Sequence, residues 1–250
     1  MNVSDLTQSL SEYSPTVDQA VNAIVNSTKP MGYVLIGIFF LIEMDSWFRY
    51  MKQEGGGITG ELWLDVAFKY FISFLLVSQS SLILEAMFEL VSLIVQLMDK
   101  GLPAEAVDYN FTAGKIRGAF VKPIITTVGW LTEYAVYTSV KIISFMRYMQ
   151  LALLKAVAPV LIATFMSDST RQIAINVLKY FGAAALQAVV LIIIVRLYPA
   201  LISDDLLKVN ISGKGESLKI AFASIAKGIV FLFLIFGSQR QTQKLLGLMG

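Results

Sequence analysis

An all-α, polytopic transmembrane fold of about five spans, with long tilted or protruding helices, is the fold class this sequence predicts. Three observations predict it. The 250 residues are 56% hydrophobic and only 15% charged, with a mean hydropathy of +0.68, whereas a soluble domain carries about a quarter charged residues. The apolar residues gather into helical stretches long enough to cross a hydrocarbon core of about 30 Å. Several of these stretches also hold ionisable residues at helical spacing, and charge placed in lipid is costly enough to mark function.

Residues 1–30 form a polar N-terminal segment. Ser14 offers an N-cap and Pro15 a first helical position, and Val17, Ala20, Val21, Ile24 and Val25 then recur at helical intervals. This predicts a short amphipathic helix, ended by Lys29 and Pro30, that lies on the membrane or docks on a neighbour. The segment lacks the basic start and early apolar core of a secretory signal, so a retained N-terminus is expected.

The first membrane part covers 31–98. Residues 31–48 make one span, with Glu43 and Asp45 near its end and Arg49 and Lys52 placed to pair with them. Gly55, Gly56 and Gly57 mark a turn, without the Lys-Ser/Thr of a phosphate loop. Residues 66–98 would measure about 50 Å as one helix at 1.5 Å per residue, so that helix must tilt, project or break. Ser78, Glu85, Glu89, Ser92 and Gln96 fall on one face of it. Such an acidic stripe faces water or a polar partner, or marks an amphipathic end standing beyond the lipid.

A central polar loop, 99–122, separates the second membrane part, 123–238. From Pro123 a helical pattern runs to 157, and Tyr134, Lys141, Tyr148 and Lys155 recur at intervals of seven with Tyr137 and Ser144 beside them. Rings interleaved with ammonium groups suit a polyanion, because bases stack on rings and phosphates seek lysine. The same pattern serves lysines snorkelling to headgroups beside interfacial tyrosines. Pro159 lacks a backbone N–H and is the expected helix break. Ser167, Asp168, Ser169 and Thr170 are cap-rich, so a further helix is expected to start there and to stop at Pro199. Within it Ala184 and Ala188 form a small-residue pair that permits close helix packing, as do Ser224 and Gly228 in the last span, 220–237. Asp204 to Leu218 reads as a polar hairpin and 239–250 as a short tail. The distribution of lysine and arginine does not fix the orientation.

Composition excludes much chemistry. With no cysteine and no histidine, disulfides, thiolate and imidazole metal sites and histidine acid–base pairs are ruled out. The net charge of +2 is too small for bulk attraction to nucleic acid, so any such contact must be a local patch. Carboxylates and lysines are scattered rather than convergent, and neither an enzyme nor a metal or other cofactor is expected.

The run from Lys155 through Ala156, Ala158 and Pro159 to Phe165, followed by Ser169, Thr170 and Arg171 and an apolar helix to Arg196, resembles the polytopic inner-membrane subunits of type IV secretion and conjugative transfer systems, the TrbL-type family. The layout is similar as well: an N-terminal segment, spans on both sides of a central polar loop, and a short tail. The resemblance implies a multi-pass protein of the bacterial cytoplasmic membrane, a homo-oligomer that works with other secretion subunits and ATPases to pass DNA and protein. It implies no ATPase activity in this chain. Two other classes stay open: a secondary transporter, for which inverted repeats are expected, and a non-conducting structural scaffold of a membrane complex.

Overall fold

The computed structural model describes residues 8, 10–54, 60–101, 111, 120–203 and 216–248. Among these the regular structure is helical: α1 (Leu10–Tyr13), α2 (Pro15–Glu54), α3 (Gly60–Ser78), α4 (Ser80–Gly101), α5 (Val121–Ile162), α6 (Arg171–Ser203) and α7 (Glu216–Leu245), with a 3-10 turn at Ala163–Met166 between α5 and α6. Five stretches among the described residues are long and apolar enough to cross a membrane: Pro15–Gln53, Ser80–Gly101, Val121–Met166, Arg171–Tyr198 and Leu218–Leu245. Large apolar side chains such as Val34, Leu41, Leu97, Trp130 and Phe233 stand exposed on them, as lipid-facing positions do.

Ser14 caps α2 as expected, its Oγ accepting from the backbone N–H of Val17 at 3.5 Å while its carbonyl accepts from Asp18 at 3.0 Å. The stop expected at Lys29-Pro30 is overturned, because α2 passes through Pro30 as one 40-residue helix. The long stretch 66–98 resolves by breaking. Gln79 interrupts it between α3 and α4, although the helical bonds from Gln79 N–H to the Leu75 carbonyl and from Ile83 N–H to the Gln79 carbonyl persist at 2.9 Å.

The helix expected over 123–157 is continuous and forms the body of α5. Pro159 is not the break: it lies inside α5, which ends at Ile162 in the 3-10 turn. Nor does Pro199 stop α6, which reaches Ser203. The last helix is longer than the span read for it, so most of the expected tail is helical. Most of the central loop and of the 204–218 hairpin, and the three glycines at 55–57, lie outside the described residues.

The chain divides into two compact units. One comprises 9–90, 148–185 and 243–250. In it α2 and α3 pack antiparallel, since Tyr33 stacks on Phe74 while Phe40, further along α2, meets Tyr70, earlier on α3. Gly32 permits the closest approach: a Cβ there would lie 2.7 Å from the Pro159 carbonyl oxygen and 2.9 Å from Val77 Cγ1. Val21 and Val25 pack on the small side chains of Ala152 and Ala156. The other unit comprises 1–8, 91–147 and 186–242. Its core joins Val136, Val140 and Ile143 of α5 to Leu191 and Tyr198 of α6 and Phe231 and Ile235 of α7.

Candidate functional site: two buried charge networks

Two lysines in the unit built on 9–90 and 148–185 organise its polar groups. Lys69 of α3 meets Glu43 of α2 at 3.2 Å, Asp65 at 3.2 Å and Asp168, in the turn before α6, at 2.8 Å. Glu43 is only 5% exposed, and both its oxygens are used. Oε1 also accepts from Trp47 Nε1 at 3.3 Å, and Oε2 accepts from Ser167 Oγ at 3.2 Å and the Asp168 backbone N–H at 3.3 Å. Arg171 completes the group, pairing with Asp168 at 3.1 Å and lying over the Phe165 ring. Asp168 stands between two candidate spans, and its carboxyl is held below the usual 3.8 chiefly by the hydrogen bond from Lys69.

The second network centres on Lys155, which is 2% exposed. Its Nζ lies 3.0 Å from Asp18 Oδ1 on α2 and 2.8 Å from Glu85 Oε1 on α4. Asn22 donates to the other Asp18 oxygen at 3.1 Å, and Ser81 donates to Glu85 at 3.1 Å. Beside the lysine a cleft of about 290 Å³ is lined by Ser11, Asp18, Glu85, Glu89, Leu151 and Phe181 among others. Tyr148, one stripe position before Lys155, is 3% exposed and stacks on Tyr13 with ring centroids 3.8 Å apart. A buried ammonium with two carboxylate partners is the arrangement that makes intramembrane charge tolerable.

The structure sorts the stripe residues unevenly. Of the acidic set, Glu85, Glu89 and Gln96 are exposed, Ser78 is half-buried beside the Gln79 break, and Ser92 is buried. Of the basic and aromatic set, Tyr134 and Lys141 are exposed while Tyr148 and Lys155 are covered. The two stripes were read as separate surfaces; they meet, because Lys155 pairs with Glu85. Glu43 likewise pairs with Lys69 rather than with Arg49 or Lys52, and only Asp45 takes the expected partner, Arg49, at 2.7 Å. The cause is helical phase: Asp45 and Arg49 share an exposed face four residues apart, and Glu43 faces α3.

The small-residue pairs are engaged inside the chain. Ala184 and Ala188 are buried, as is Gly228, with Ser224 half-buried, so these positions do not offer a bare face for a second copy. Lys69 and Asp18 escaped the sequence reading. For Lys69 a signal existed, since it is the lone base in the 66–98 stretch before the last residues of α4. In the other unit Arg196 pairs with Asp99, and the Tyr198 hydroxyl donates to the Lys227 carbonyl.

Apolar helices of membrane-crossing length, tied by charge pairs buried among them, define a multi-pass membrane protein. Comparison adds the lineage. The family model described as TrbL/VirB6 plasmid conjugal transfer protein matches residues 66–238, well over half of the chain, and the chain belongs to that family. It is therefore a membrane subunit of a type IV secretion, or conjugation, apparatus, and family membership implies association with other components of that apparatus. The match contains the Lys155–Arg196 region that carried the resemblance. Comparison with curated proteins and with solved structures gave no match.

Proposed function

We propose that this chain acts in several copies in the cytoplasmic membrane as a conduit subunit, bordering the path by which DNA and protein leave the donor cell. The carrying observation is Lys141. It is exposed about midway between the ends of α5, a 42-residue helix, and an exposed ammonium on an apolar helix is stable only beside water, phosphate or a polar partner. Tyr134, two turns earlier on the same side, is also exposed and stacks on Trp130. Together they supply ring and cation to a passing polyanion. The role is non-enzymatic in this reading, since the carboxylates and lysines brought together serve one another as ion-pair partners. Other membrane subunits, the ATPases of the apparatus and further copies of this chain are the partners it needs.

The test is Lys141→Glu, with Lys141→Arg as control, in a donor cell carrying the rest of the apparatus. Charge reversal next to a phosphate backbone is expected to reduce transfer by roughly tenfold or more, with insertion and co-purification of partner subunits unchanged. Normal transfer with the Glu variant would make Lys141 a headgroup anchor and remove the conduit assignment. Lys155 is unsuited to this test, because a glutamate there would face Asp18 and Glu85 at contact distance.

A further inference from the structure

We propose that the Lys69 network marks the plane where hydrocarbon gives way to lipid head groups, and that α3, which is not among the five apolar stretches, is embedded in the bilayer along its second half and meets head groups along its first. The network and the helix segments that carry it belong to one compact unit, and the conduit reading is not needed for it. α3 holds Glu61, Asp65 and Lys69 within 19 residues, too many charges for an unaccompanied helix in lipid. Pairing removes the objection at Lys69, which is 12% exposed and meets three carboxylates. Glu61 and Asp65 lie nearer the start of α3, on the head-group side of that level.

Side-chain exposure changes character at this plane. On one side α2 exposes Val34, Ile38, Leu41 and Ile42, and α3 exposes Phe71, Phe74 and Leu75. Neither 31–42 nor 70–78 contains an Asp, Glu, Lys or Arg. On the other side Asp45, Arg49, Lys52, Glu61 and Asp65 are exposed, interleaved with exposed Phe48, Tyr50 and Trp63. Charges mixed with Trp and Tyr are the composition of a membrane interface, and bare apolar side chains are that of a hydrocarbon-facing surface.

A second pair of helices places the boundary at the same level. Two of the apolar stretches end at Met166 and begin at Arg171, and the turn between them is where Asp168 meets Lys69 and Ser167 meets Glu43. The antiparallel pairing of α2 and α3 carries the level across, since Glu43 meets Lys69 and, about one turn inside it, Phe40 meets Tyr70. α2 therefore leaves the hydrocarbon near Glu43. The remainder of α2, to Glu54, rises about 16 Å at 1.5 Å per residue. The head-group layer is only about 5–8 Å deep on each side, so the end of α2 reaches water while Trp47, Tyr50 and Trp63 lie at or near the head groups.

The chain has no cysteine, so one nitroxide label at a time can be placed at Leu41→Cys, Phe71→Cys, Trp63→Cys or Lys52→Cys. In the full chain, reconstituted in vesicles of phosphatidylethanolamine and phosphatidylglycerol, power-saturation EPR compares collisions with oxygen, which concentrates in hydrocarbon, and with a water-soluble nickel chelate. The Leu41 and Phe71 labels are expected to favour oxygen several-fold, the Lys52 label to favour nickel, and the Trp63 label to fall between them. Nickel access at Phe71 equal to that at Lys52 overturns the proposal, because α3 would then stand in water or against a soluble partner. A Trp63 label as deep as Phe71 also overturns it, since the boundary would lie beyond the network. Adding Glu43→Gln and Asp168→Asn leaves Lys69 with Asp65 alone and is expected to raise nickel access at Phe71 several-fold. Lys69→Met in that background removes the charge and is expected to restore exclusion. Access unchanged by the double substitution, or not restored by Lys69→Met, refutes the role given to charge pairing.

Discussion

Replacing Glu43 tests whether the Lys69 network holds the fold around it. Glu43→Ala removes an acceptor that serves Lys69, Trp47, Ser167 and the Asp168 backbone at once. Hydrogen bonds to a charged group contribute about 1.5–3 kcal/mol each, but those made here are long, at 3.2–3.3 Å. Lys69 also keeps Asp168 and Asp65, so no bare charge is left, and Ser167 keeps Ser169 at 3.0 Å. The loss should therefore fall near the lower end of the about 3–5 kcal/mol that follows breaking a buried pair. Glu43→Gln, which keeps one acceptor oxygen, should lose about half as much. The neighbouring Asp45→Ala removes an exposed i,i+4 pair and should cost about 0–1 kcal/mol. Chemical unfolding of the detergent-solubilised full chain measures all three. If Glu43→Ala costs no more than Asp45→Ala, the network is an ornament of the surface and the argument for its packing role is wrong.

Two further outcomes follow from the same unit. Gly32→Ala should destabilise the chain by about 1–3 kcal/mol, because the added Cβ meets a backbone oxygen that cannot turn aside, whereas Gly37→Ala, with open space around it, should be neutral or stabilising; equal effects in the same unfolding assay would dismiss the close approach. The depressed Asp168 carboxyl contributes stability that is present above its unfolded value of 3.8 and is lost as pH falls through its lower folded value. Asp168→Asn should flatten that acidic limb of the stability profile, and an unaltered limb would assign it to other carboxylates.

The helices were legible because apolar length and periodicity are local properties of the sequence. Ser14 and Pro15 announce the start of α2, and the absence of proline from 124–157 announces the continuity of α5. Side-chain pairing was not legible, because it depends on which face of one helix meets which face of another. Glu43 and Asp45 are two residues apart, and sequence gives both the same candidate partners; packing sends one to Arg49 and the other to Lys69. Lys155 and Glu85 each belong to a readable stripe. Only the fold shows that the stripes join, and that Ala184 and Ala188 are consumed by the chain's own packing.

Proline was the other source of misreading, and the reason is physical. An interior proline costs a helix about 3 kcal/mol or more, which favours a stop unless tertiary contacts offset it. On α2 such contacts lie on both sides of Pro30, with Asp18 held by Lys155 before it and Glu43 held by Lys69 after it. Pro159 is steadied by the same neighbour, since Gly32 rests against its carbonyl and Thr28 donates to Ala156 at 3.5 Å. The two proline-weakened stretches thus lie side by side. Pro30 leaves the Asn26 carbonyl without its helical N–H, and Pro159 does the same to the carbonyl of Lys155 itself. Each helix loses one of its own hydrogen bonds there, and contact between the two stretches offsets part of that loss.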